Sequence, residues 1–325
     1  MGASVILRGR GGVGHLLSAF RGERDNRRAK TSWSNRKFDD SRPVIFLHIP
    51  KSAGTSFRRA LEYSLGENGV WGFDNSTFAQ FREFDSLDNI IRSHIYLEKE
   101  HRFPTGRLSG GHLGYQNIKR NRPNAQVVTV LREPFSRLIS HWLYWRSHTD
   151  QHLSGWGGWG DRVRHSRKPL VDFLAQPSTV AVLDNLAVRM LLWPHPLIPD
   201  NEYIDRRHGP KLLADACEIL RKFAFVDVIE NPQLSDRLAE WLGKPFVLER
   251  LNETDRILGS LRRSLADELN PDALNLIEDR TWLDRQLWTE VALRSMPDLA
   301  IHQVRERALL RNVSRFAVTL AGGLG

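Results

Sequence analysis

The feature that most constrains this chain is a short stretch near residue 50. The mainly apolar run Val44–Ile49 (VIFLHI) ends at Pro50, passes through KSAGTS and enters FRRALEYSL. A continuous apolar run of that length, closed by proline, predicts a strand buried on both faces. The segment after it predicts a helix. Between them, Ser52, Ala53, Gly54, Thr55 and Ser56 are all small, so their backbone amides can approach an anion closely. A helix also begins with unpaired N–H groups and the positive end of its dipole. Strand, small-residue loop and helix N-terminus together predict an anion cradle. Thr55 and Ser56 add hydroxyl donors, and Lys51 puts a cation beside the bound group. The plainer alternative is a tight strand-to-helix turn with a solvated lysine.

The loop is not of the GxxxxGK[ST] type, in which the lysine follows the glycines and a hydroxyl holds Mg²⁺. Here the lysine precedes the small residues. A second segment strengthens the anion reading. VVTVL (127–131) predicts another buried strand, followed by REP and a helix from about Phe135 to Ser147. Arg132 stands at the end of that strand, where open α/β sheets bind ligands. Pro134 falls near the first helical turn, where a missing N–H does no harm. Ser136 and Ser140 share one helix face, as do Arg137 and His141. Arg132 and Ser140 can grip a second phosphate through charge-assisted hydrogen bonds; a surface helix with ordinary salt bridges is the alternative.

Further along, 107–111 and 223–229 predict strands, and helices are expected at 169–175, 182–192, 211–222, 233–242 and, with breaks, 272–311. Strands alternating with helices predict an α/β fold with a mainly parallel sheet. SGWGGWGD (154–161) is expected to be a loop. Residues 1–41 are expected to be a basic, flexible arm, 42–311 the folded domain and 312–325 a tail. Residues 1–40 carry nine basic and four acidic side chains, a net of +5 and over half the chain's +9. A basic surface suits phosphates, sulfates and acidic glycans, and equally nucleic acid. Gly9, Gly11 and Gly14 match GxGxxG, but the arginine-rich sequence after them offers no βαβ unit to hold a dinucleotide. Cys217, the single cysteine, falls in the apolar run LLADACEIL and is expected to pack in a helix.

At this point a resemblance emerges. IFLHIPKSAGTS resembles the 5′-phosphosulfate loop of PAPS-dependent carbohydrate sulfotransferases (PAPS is 3′-phosphoadenosine 5′-phosphosulfate). VLREPFSRLISHWLYWR resembles their 3′-phosphate motif, and the order and separation of the two also fit. The similarity is greatest to the heparan sulfate 2-O-sulfotransferase type and its bacterial cousins. LSGGHLGY (108–115) is similar to the segment bearing their catalytic histidine, DNLAVRMLLW (184–193) to a DNxxxR-type helix, FAFVDVIENPQLSDRLAEWLG (223–243) to a late strand and helix, and LERLNETDR (248–256) to a segment near the nucleotide. Where the eukaryotic pattern has a further histidine, this chain has Gly110. The resemblance runs from about residue 43 to the late 290s.

The resemblance implies a P-loop NTPase-like sulfotransferase fold, with PAPS as co-substrate, PAP as product and no metal required. It implies that residues 52–56 hold the 5′-phosphate, that Arg132 and Ser140 hold the 3′-phosphate, and that Lys51 neutralises the leaving oxygen. His112 would take the proton of a carbohydrate-like acceptor, a task suited to a group titrating near neutral pH. His94, His101 and His141 are rivals for that role, whereas His48 is expected to pack. Trp156 and Trp159 are candidate acceptor-stacking residues, with loop packing as the alternative; packing is expected of Trp142 and Trp145. A phosphotransferase would need Mg²⁺ ligands and a Walker-type lysine that the sequence does not show. A non-catalytic binder of acidic glycan or nucleic acid is the other rival. The arm has few aromatics and no nucleic-acid motif, so no nucleic-acid partner is expected, though residues 1–41 could touch an anionic surface. Without a signal sequence, a long apolar span or paired cysteines, the expected setting is the cytoplasm, as in a bacterial enzyme.

Overall fold

The computed structural model describes residue 33 and residues 37–73, 105–154, 156–200, 202–249 and 257–322. Five strands form one sheet: β1 (Val44–Leu47), β2 (Val70–Phe73), β3 (Leu108–His112), β4 (Gln126–Leu131) and β5 (Phe225–Val228). Their spatial order is β2-β3-β1-β4-β5, and every pairing is parallel. All the C-terminal ends therefore lie along one edge, with β1 in the middle.

Side chains alternate across a strand, so one strand feeds two cores. Ile45, Leu47, Val127, Leu131, Val226 and Val228 face one layer. It is built from α6 (Leu186–Leu192), α7 (Gly209–Leu220) and α9 (Pro271–Ser295). Val44, Phe46, Val128, Val130 and Phe225 face the opposite layer, made by α1 (Gly54–Leu65) and α8 (Leu234–Leu242). Both faces are covered, which explains the unbroken apolar runs of β1 and β4. A third core joins α3 (Pro134–Arg146), α4 (Gly157–Arg164), α5 (Leu170–Leu174) and α10 (Ile301–Ala321). A further short helix, α2 (Tyr115–Asn121), follows β3.

Cys217 is buried in α7, and burial pushes its thiol up to about 11, which keeps it protonated. The DNxxxR segment is a junction. Asp184 is wholly buried and pairs with Arg189 at 2.5 Å, and Arg189 also donates to the carbonyls of Pro199 and Glu202. Asn185 accepts the Leu283 and Asp284 amides, while Asp284 accepts those of Ala187 and Val188. The motif thus locks α6 against α9.

Three expectations are corrected. Residues 157–164 are helical, because Trp159 and Val163, four apart, both turn inward onto the third core. The expected tail is the second half of α10, held by buried Phe316 and Leu320. The arm's end is fastened to the domain. Trp33 is buried beneath Arg294 (4.3 Å to the ring centroid), Phe38 meets Trp241 edge-on at 5.3 Å, and the Asp39 amide donates to Gln126 Oε1 at 2.8 Å. The other residues of the arm, and the GxGxxG match with them, lie outside the described residues, as do His94, His101 and residues 250–256.

Candidate active site

The sheet edge carries the site. Just past β1 the chain turns tightly, the Ser52 amide donating to Ile49 O at 3.2 Å. Lys51 (φ 68°) and Ala53 (φ 60°) both adopt the left-handed conformation, which is uncommon for residues with a Cβ. Alternation of this kind turns successive amides toward one side and forms an anion-binding nest. The first bond of α1 runs from Phe57 N–H to Ala53 O, so the amides of residues 54–56 belong to the helix start. The Ser52 amide is engaged in that turn, so a contact from Ser52 to an anion would come from its hydroxyl and the amides of the cradle begin at Ala53. The Ser52 hydroxyl is buried with no hydrogen-bond partner among the described residues.

Arg132, just past β4, closes the turn from the other side by donating Nη1 to Lys51 O at 3.0 Å. Its guanidinium is buried beside Glu230 and Glu133, and its Nε has no partner among the described residues. Burial lowers its pKa to about 10, which leaves it charged at neutral pH. Glu230 accepts the Glu133 amide and Trp288 Nε1, both at 3.0 Å, and burial pushes its carboxyl up to about 7. Glu133 caps α3 by accepting the Ser136 amide at 2.8 Å, with Pro134 at the start of the helix. Ser140 is buried one turn further along. Lys51 Nζ lies 3.9 Å from the centroid of Tyr144. Burial, then Arg132, then Arg315 push Lys51 down to about 7.

His112 ends β3, next to β1 in the sheet. Its ring lies 4.7 Å from that of His48, which itself stacks on Phe46 at 5.4 Å. The His48 ring fills the space a side chain on Gly54 would need: a Cβ there would sit 2.0 Å from Cε1 and Nε2. Gly110 leaves no room for a histidine either, its Cβ position lying 2.6 Å from Phe46 O. The second imidazole beside His112 therefore comes from the adjacent strand. His48 does pack, as expected, but it packs inside the site. His48 is pushed down to about 3 by burial and then by Lys51. His112 is held well below the usual histidine range by burial, then by His48, His141 and Lys51. Both rings are neutral at neutral pH.

His141 and Arg137 share one face of α3, and both are buried. Neither imidazole nitrogen of His141 and no guanidinium nitrogen of Arg137 has a hydrogen-bond partner among the described residues. The Arg137 charge is offset by the buried carboxylate of Asp284, but its donors stay unmatched; His141 lies near enough to Lys51, and Arg137 to Arg132, for their charges to act on one another. The residues present thus fit a polyanionic ligand.

The aromatic candidates separate. Trp159 is buried and meets Trp145 edge-on at 5.9 Å, so its expected acceptor-stacking role is corrected to core packing. Trp142 and Trp145 are buried as expected. Trp156 is half-buried, 5.7 Å from His148, whose ring lies 4.7 Å from the exposed Tyr144. Sequence reasoning missed Tyr144, Glu230 and Arg315. The strand period could have placed His48 on the Phe46 face, toward α1; Arg315 left no local signal. Among the described residues, no group of three or more His, Cys, Asp or Glu side chains is disposed to hold a metal ion.

Residues 35–165 match the family model described as "Sulfotransferase family". The chain is also similar to heparan-sulfate 6-O-sulfotransferase 3-B of Danio rerio, with 28% identity over 291 residues. That match covers 78% of this chain and 63% of the relative, so the chain spans less than two thirds of the relative's length.

Proposed function

We propose, on the premise of the match to the sulfotransferase family model, that the chain is a sulfotransferase and transfers a sulfuryl group from PAPS to a hydroxyl of a carbohydrate-like acceptor. One observation carries this reading: a left-handed anion nest, a cation at its rim, a buried arginine and a neutral, half-buried histidine converge at the ends of adjacent parallel strands. The amides of residues 53–56, with the Thr55 and Ser56 hydroxyls, receive the 5′-phosphate. Arg132 and Ser140 receive the 3′-phosphate.

The His112 imidazole, neutral at neutral pH, takes the acceptor's hydroxyl proton on a ring nitrogen. As that O–H breaks, the acceptor oxygen bonds to sulfur, and the bond from sulfur to the 5′-phosphate oxygen breaks in line. The electron pair departs with the phosphate, leaving PAP, and Lys51 faces the charge that develops there. Positioning and charge stabilisation do most of such work. The rise in negative charge on donor binding favours the protonated forms of Lys51 and His112, opposing the burial that depresses both. His48 holds the His112 ring from the Gly54 side. Trp156, with Tyr144 and His148, offers a face for a sugar ring beside Lys51.

The test is sulfuryl transfer from labelled PAPS to a panel of glycans, paired with PAP titration. His112→Ala should bind PAP like the wild type and lose about 10²–10⁴-fold in kcat. Near-wild-type turnover by that variant removes His112 from the mechanism. Failure of the wild type to bind PAP removes the donor assignment altogether.

A further inference from the structure

Helix α10 reaches back onto the donor loop. Arg305 Nε pairs with Glu133 Oε1 at 3.2 Å, and Leu309, Asn312, Phe316 and Leu320 are buried beneath the helix. This docking sets the Phe316 ring under Arg132, whose guanidinium carbon lies 5.7 Å from the ring centroid. Arg315, half-exposed, lies 5.5 Å from the same centroid. Two guanidiniums thus share one aromatic ring, a contact that orients both planes on the same side of α10 as the loop.

Arg315 also stands close enough to Lys51 and to Arg132 to repel both. Three cations therefore meet at the sheet edge, from the loop after β1, from the end of β4 and from α10. Glu230 and Glu133 offset part of the repulsion at Arg132, and both carboxylates are already engaged elsewhere. Glu133 already receives Arg305 and the Ser136 amide, and Glu230 receives the Glu133 amide and Trp288. The charges acting most on Lys51 are both positive. Like charges held together by packing are relieved when an anion arrives between them.

We propose that Arg315 is a ligand of the donor nucleotide, contacting its 3′-phosphate together with Arg132 and making the C-terminal helix part of the donor site. The 3′ side is chosen because Arg315 and Arg132 share Phe316, whereas Lys51 leans away onto Tyr144. The proposal rests on the donor reading given above.

Calorimetric titration of the full chain with PAP and with 5′-AMP, which lacks the 3′-phosphate, separates the two. Losing one charge-assisted phosphate contact weakens binding about tenfold or more. Arg315→Ala should raise the PAP Kd by at least that factor and leave the 5′-AMP Kd within about twofold. Arg315→Lys should fall between Arg315→Ala and wild type, and Arg311→Ala, an exposed arginine one turn earlier, should change neither. If Arg315→Ala melts early, Arg315→Gln, which keeps an aliphatic stem near Phe316, supplies the same comparison. An unchanged PAP Kd in the Arg315 variants, with Arg132→Ala still impaired, overturns the proposal and leaves the donor site standing. Equal losses for PAP and 5′-AMP also overturn it, since the contact would not be to the 3′-phosphate. A wild type that binds no PAP sinks the donor reading itself.

Discussion

Gly54→Ala tests the tightest packing in the site. The added Cβ would lie 2.0 Å from two atoms of the His48 ring, where ordinary contact begins near 3.4 Å. The ring or the loop must therefore yield by roughly 1.4 Å, the difference of those two distances. The His48 ring is boxed in by Phe46 at 5.4 Å and His112 at 4.7 Å, so it cannot swing away as the tip of a long chain could. Overpacking of this kind costs about 1–3 kcal/mol. In a chain of this size that corresponds to a fall in melting temperature of about 1.5–4.5 °C. The catalytic effect should be larger, because displacing a reacting group by about 1 Å can cost about 10²-fold. Differential scanning calorimetry with PAPS turnover reads both. His48→Ala supplies the control: the double variant Gly54→Ala/His48→Ala should be more stable than the two single effects predict, since the clash is gone. A Gly54→Ala protein with wild-type melting temperature and kcat would refute the claim that the His48 ring occupies that space and positions His112.

The remaining predictions concern charge and aromatic packing. Lys51→Ala should lower kcat by about 10²–10³-fold, the scale of losing one charge-stabilising donor, with PAP still bound; unchanged turnover would reject its leaving-group role. The Glu230 carboxyl is raised from 4.5 to about 7, so the folded chain holds a proton the unfolded chain has lost. Its stability contribution is complete below pH 4.5 and disappears as pH rises through about 7, so the melting temperature should fall between pH 5 and pH 8 less in Glu230→Gln than in the wild type. Equal slopes would show that another group titrates. Trp159→Ala should destabilise the chain by about 3–5 kcal/mol as a core truncation. Trp156→Ala, at the half-buried edge of that core, should destabilise less than Trp159→Ala and raise acceptor KM, and the opposite pattern would reverse the two assignments.

Local chemistry made part of this protein legible in one dimension. The loop 51–56 and the strand ends at Arg132 and His112 are short-range features: apolar runs bounded by proline, small residues before a helix, and a charge where a strand stops. Such signals predict the parallel sheet and the anion cradle because strand period, helix capping and turn sterics act over a few residues. They misassign Trp159, because glycines suggest a loop until the Trp159–Val163 face finds α3 to cover.

What the chain alone left undecided depends on contacts between distant residues. Gly110 cannot hold a second imidazole because the Phe46 carbonyl lies against it, and only the pairing of β1 with β3 brings His48 to that place. Glu230 meets Arg132 only through β4 and β5, and Arg315 reaches the loop only because Phe316 and Arg305 dock α10 onto α3. The sequence by itself determined the elements and the chemistry at their ends. Tertiary structure alone decided which side chains share a desolvated space, and with that their charge states, because burial and through-space repulsion depend on distance in three dimensions and not on separation along the chain.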